Sequence, residues 1–95
     1  MEEKEKYLKI IKHYDVIPQL KYFQSEVFEL NEAIITQELD ESGYNYEIKH
    51  IAEEIADCLV MIRQFKEYYG ISNNEIKNIM DYKVDRQIER IRNEK

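Results

Sequence analysis

The sequence predicts an all-α protein, a bundle of about four helices, and three observations carry that prediction. Two glycines and one proline stand among 95 residues, of which 43% are hydrophobic and 36% charged; Gly and Pro are the residues that most weaken helix interiors. Apolar residues recur at alternating three- and four-residue steps, the period of one side of a helix rather than of a strand. The breaks between these stretches carry helix stop and start signals, at Pro18, at 40–43 and at 70–75.

A first helix is expected from about Glu3 to His13, with Leu8, Ile10 and Ile11 as its apolar contribution. Ile17-Pro18 interrupts it. Proline fits the first turn of a helix, where its missing N–H is not needed, so the second helix is placed to begin near Pro18. Its seam is Leu20, Phe23, Val27, Leu30 and Ile34. Asp40-Glu41-Ser42-Gly43 is the strongest turn signal. A third helix should run from about Tyr46 to Tyr69, on a seam of Ile48, Ile51, Ile55, Cys58/Leu59, Ile62 and Phe65, with Gly70 as its C-terminal cap. Ser72-Asn73-Asn74-Glu75 then reads as a capping box, flanked by Ile71 and Ile76 as a hydrophobic staple. The fourth helix carries Ile76, Ile79/Met80, Ile88 and Ile91 on one side and Lys83, Arg86 and Arg90 on another.

Ninety-five residues form one domain, spanning 1–95. A chain this short buries a limited share of its surface and gains much from assembling with copies of itself. The net charge of −6, with no basic stripe, points away from a nucleic-acid polymer as partner. Cys58 is the only cysteine, so no intrachain disulfide can form, and a reducing cytoplasm is the expected location. The charged start leads into no apolar segment of the signal-peptide kind, and no run approaches the roughly 20 residues needed to cross a bilayer. No membrane association is expected.

Two short acidic motifs stand out. Glu26 and Glu29 on the second helix, and Glu54 and Asp57 on the third, are pairs three residues apart, so each pair projects from one side of its helix. The blocks match at an offset of 28 residues, apolar surroundings included. Spacing alone means little, because Glu2/Glu5, Glu29/Glu32 and Glu38/Glu41 share it. Position separates them: Glu2/Glu5 and Glu38/Glu41 lie near a terminus and a turn, whereas the two motifs flank long apolar seams. Packed antiparallel through those seams, the helices would bring four carboxylates together at a cost in repulsion and desolvation. Lys21 and Arg63 are poorly placed to neutralise all four.

A divalent cation would remove that penalty, and all-oxygen carboxylate sites suit hard cations, Mg²⁺ first. The alternative, two solvated acidic faces, stays open at this level. Zinc does not fit, since His13, His50 and Cys58 cannot supply its ligand set. Neither a Ser-His-Asp arrangement nor a Gly-rich phosphate loop is present.

Glu26-x-x-Glu29, 24 intervening residues, then Glu54-x-x-Asp57, with the contexts EVFELNEAI and EEIADCLVMI and the downstream DYKVDRQIERI, resembles the MazG-like all-α nucleoside triphosphate pyrophosphohydrolases. The likeness covers roughly residues 20–92. It implies a helical bundle with its active site in an assembly of two or four subunits, a homodimer or homotetramer. It also implies Mg²⁺-dependent cleavage of a nucleoside triphosphate, ribo or deoxy, to the monophosphate and pyrophosphate. Carried over, Glu26, Glu29, Glu54 and Asp57 would be the metal ligands. Lys83 and Arg86, with Arg90 as an outer candidate, would contact phosphates.

Glu29 or Glu53 would accept the attacking water's proton, and Tyr22, Tyr44 or Tyr46 would stack on the base. Three positions depart from the family pattern: Ser25 precedes the first acidic pair in place of Glu, Asp81 stands where Asn is common, and Gln87 replaces an arginine. Two other functions fit the same composition, a non-catalytic adaptor or antitoxin-like module, and a degenerate relative that binds nucleotides without hydrolysing them.

Overall fold

The computed structural model describes residues 1–39 and 47–94. Four helices make it up: α1 (Glu3–Tyr14), α2 (Val16–Glu38), α3 (Glu47–Tyr68) and α4 (Asn73–Asn93). The fold is all-α. The turn expected at 40–43, with Tyr44 and Tyr46, lies outside the described residues.

Local chemistry sets the helix ends. Glu3 and Glu5 open α1, and Lys12 and His13 close it, charges that complement the helix dipole. The break before α2 falls at Asp15, not at Pro18. Asp15 has φ 72° and ψ 155°, a region that costs a residue with a side chain roughly 1–3 kcal/mol. Pro18 is the third residue of α2, still within the first turn, where it leaves no amide unsatisfied. At the end of α3, Gly70 takes φ 67°, the Gly70 N–H donates to the Glu67 carbonyl (3.1 Å) and the Ile71 N–H to that of Lys66 (3.0 Å). This is the glycine-terminated cap expected there. Two residues on, Ser72 Oγ accepts from the Glu75 N–H at 3.1 Å, so α4 begins at the capping residue read from sequence.

Helix α3 packs along both α1 and α2, and α1 also touches α2. The α2–α3 contact uses only one edge of the two seams. Leu20, Val27 and Ile34, and Ile48, Ile55 and Ile62, are exposed, while the interface is occupied by Gln19, Glu26 and Ala33 of α2 and Glu54, Cys58 and Met61 of α3. Phe23 and Phe65 bridge the two regions edge to face, with ring centroids 5.8 Å apart. Helix α1 packs against both α3 and α2. Ile11 of α1 is fully buried there.

A polar clamp fastens α1 to α3. Arg63 Nε donates to Glu67 Oε2 at 2.6 Å, its Nη1 lies 3.4 Å from Glu3 Oε1, and its guanidinium sits 4.8 Å above the Tyr7 ring. Lys66 Nζ adds a second cation 3.2 Å from the same Glu67 oxygen. Helix α4 differs from the others. Among the described residues it makes no helix–helix contact, and its own support comes from Lys77–Asp81 (2.9 Å) and Arg92–Glu89 (3.3 Å). Among the described residues no helix is long and apolar enough to cross a membrane.

Candidate functional site

Rotating the seams outward carries the acidic motifs inward. Glu26 is 6% exposed and Glu54 7%, and with Glu29 they form a group whose ligand oxygens all lie within 4.8 Å of one another. Opposite ligands across a hard cation bound at 2.0–2.6 Å are about 4–5 Å apart, so this spread fits one ion. Asp57 is exposed at the edge of the group, near enough for its charge to act on both Glu26 and Glu54. The sequence-derived quartet is thus three carboxylates in a group with the fourth alongside.

The electrostatics are those of negative charge only partly compensated. Glu26 Oε2 and Glu54 Oε2 are buried with no hydrogen-bond partner. Among the described residues the one basic group within ion-pair reach is His50, with Nε2 3.7 Å from Glu54 Oε1. Arg63 is committed to Glu67 and Glu3. Burial first, and then the charges of Asp57 and Glu29, push the Glu26 carboxyl above its ordinary range, against a hydrogen bond from Tyr22 that pulls it down. Burial first, and then Glu29 and Asp57, do the same to Glu54, while His50 opposes them. The neighbouring Cys58 thiol is also pushed up, by burial and by these carboxylates, which makes it a packing residue rather than a nucleophile.

Depressions of about 540 Å³ and about 310 Å³ flank the group. The larger lies between α1, α2 and α3, and Glu26 and Asp57 are in its wall. The smaller runs past Phe28, Glu29, His50 and Glu54.

No family model matches the chain, and neither a curated protein nor a solved structure does.

The remaining sequence-derived candidates divide. Tyr22 lines the larger groove and is hydrogen-bonded to Glu26, which with nearby negative charge raises the phenol's pKa. Glu53 is exposed and does not join the carboxylate group. Lys83, Arg86 and Arg90 are all on α4, out of contact with α1, α2 and α3, and the Arg86 guanidinium stacks 5.6 Å from the Tyr82 ring of its own helix. Sequence reasoning missed Gln19 and Gln64, whose amides lie buried in the larger groove. A signal existed: each stands seven residues from an acidic site residue, Gln19 from Glu26 and Gln64 from Asp57, and so shares its side of the helix.

Proposed function

We propose that this chain is a Mg²⁺-dependent nucleoside triphosphate pyrophosphohydrolase that works as a homo-oligomer in the cytoplasm. One observation carries the reading: two interior glutamates on different helices, each with a buried oxygen that no protein group satisfies, converge with a third carboxylate. A fold retains uncompensated buried charge when something outside the chain compensates it, and three convergent carboxylates are matched by a hard cation.

Held by Glu26, Glu29, Glu54 and Asp57, Mg²⁺ would offset the charge of the triphosphate oxygens and lower the pKa of a bound water. Glu29, the exposed member of the group, is the residue we assign to take the water's proton; Glu53 stands outside the group. Tyr22 holds Glu26 in orientation through its hydroxyl.

The apolar seams supply the reason to assemble. Val27 is about 100° round α2 from Glu26 and about 140° from Tyr22, so a second copy can cover Leu20, Val27, Ile34, Ile48, Ile55 and Ile62 and leave the acidic side open. Among the described residues helix α4 packs on no other helix. In the assembly it would bring Lys83, Arg86 and Arg90 to the carboxylates of a neighbouring copy, where they would neutralise the departing pyrophosphate.

The test is pyrophosphate release from a panel of ribo- and deoxyribonucleoside triphosphates, with Mg²⁺ or with EDTA, for the wild type and Glu54→Gln. Release that needs Mg²⁺ and disappears in the variant supports the enzyme. The same exposed seams and free α4 favour one other reading, a non-catalytic interaction module. Silence across the panel, with no nucleotide raising the melting temperature, would transfer the assignment to it.

A further inference from the structure

We propose that the groove between α1, α2 and α3 is a nucleobase pocket, in which the amides of Gln19 and Gln64 read the edge of the base and Tyr14 and Tyr22 hold its faces. The inference rests on the reading of the adjoining carboxylates as a metal–phosphate site, and it adds the half of the ligand that the carboxylates cannot recognise.

At about 540 Å³ the groove has the capacity of a small-ligand site. Its polar groups are few and deep. Gln64 is 2% exposed and Gln19 8%, and Gln19 Nε2 donates to Gln64 Oε1 at 2.8 Å. Gln64 Nε2 spends one hydrogen on Met61 Sδ at 3.5 Å. The two amides thus hold each other in the wall of the groove. Every nucleobase edge presents hydrogen-bond donors and acceptors, and a side-chain amide carries both.

The walls suit a flat ring. Tyr14 and Tyr22 are each little more than half exposed and line the groove from different helices, and aromatic faces grip bases by stacking. The groove also joins the carboxylate group through Glu26 and Asp57, so a base seated in it has its phosphates directed toward the metal ligands. The smaller depression is less suited, because Glu29, Glu32 and Glu54 line it and it contains no buried amide. This assignment gives α1 a role: it supplies Tyr14 and closes one side of the pocket.

The pocket is tested without phosphate or metal. Adenosine, guanosine, cytidine, uridine and thymidine are titrated into the full chain without Mg²⁺, following the side-chain amide resonances of Gln19 and Gln64 by NMR, with ribose as control. The expected result is saturable shifts with at least one nucleoside and none with ribose, and an affinity at least about tenfold weaker in Gln64→Met. If Gln64→Met does not fold, as judged by circular dichroism, Gln19→Met and the half-exposed Tyr14→Ala are held to the same expectation. No shift with any nucleoside, shifts with ribose, or unchanged affinity in the folded variants overturns the pocket. Nucleoside saturation without pyrophosphate release from any triphosphate upholds the pocket and removes the hydrolase. Pyrophosphate release without nucleoside shifts does the reverse.

Discussion

Glu26 on α2 and Glu54 on α3 lie together in the interior, and each keeps one oxygen that no hydrogen bond reaches. Both carboxyls are pushed above the ordinary range, burial being the largest cause in each. A carboxylate pair in this state weakens the fold, and the cation proposed above would offset that, which makes the pair testable through stability as well as activity.

Replacing Glu54 by Gln should abolish Mg²⁺-dependent pyrophosphate release, by at least about a hundredfold. It should also raise the melting temperature of the metal-free protein at neutral pH. Because the folded pKa of Glu54 is raised, the native state binds the proton more tightly than the unfolded chain. Its contribution to stability therefore falls as pH rises from the ordinary glutamate range through the folded pKa. Melting curves from pH 4 to 8 in EDTA check the sign, and the variant should show the shallower decline. Adding Mg²⁺ should restore wild type at neutral pH and leave Glu54→Gln unmoved.

The Arg63–Glu67 pair predicts the opposite slope. Hydrogen bonds and charge from Arg63, then from Lys66, hold the Glu67 carboxyl below its ordinary range despite burial. Its stabilisation is complete above the unfolded pKa and is lost as pH falls through the folded one. Arg63→Ala should lower the melting temperature at pH 7 while narrowing the gap between pH 7 and pH 3. A variant that loses the same amount at both pH values would show that Arg63 acts through packing on Tyr7 rather than through charge.

Backbone conformation gives a paired prediction at Asp15 and Gly70. Asp15→Gly relieves a strained φ and is expected to stabilise by about 1 kcal/mol after glycine's entropy is counted, or roughly 4–8 °C in Tm. Gly70→Ala forces a side chain into φ 67° and should cost about 1–2 kcal/mol. A Cβ there would meet nothing within 4 Å, so the loss would report backbone conformation alone. Chemical denaturation of the two variants decides both signs.

Assembly can be separated from chemistry at the seam. Ile55 is 43% exposed on the flank away from the carboxylates, and Ile55→Asp should convert an oligomer into a monomer in analytical ultracentrifugation. Melting of the wild type should depend on protein concentration, and that of the variant should not. Backbone amides of α4 should exchange faster in the variant, since a helix of 21 residues that packs on no other helix among the described residues is marginal. A wild type that is monomeric at all concentrations would remove the assembly and the delivery of Lys83, Arg86 and Arg90 with it.

Helix number, the Gly70 cap, the Ser72 start of α4 and the pairing of Glu26 with Glu29 are encoded within a few neighbouring residues. Backbone geometry converts such spacing into position without reference to the rest of the molecule, so they are readable from the chain. The break at Asp15 was less legible, because a proline beside it carries the stronger local signal and aspartate seldom takes that conformation. Which flank of α2 meets α3 is a different kind of fact. Apolar residues spread from Phe23 and Leu30 through Val27 and Leu20 to Ile35, far wider than one contact needs, and periodicity cannot choose within such an arc. The packing of three helices decides it: α1, with Ile11 buried, contacts α2 and α3 together, and Gln19 and Glu26 of α2 and Glu54 and Gln64 of α3 are interior. Burial is a property of three helices at once, and it turns ordinary surface residue types into a candidate site.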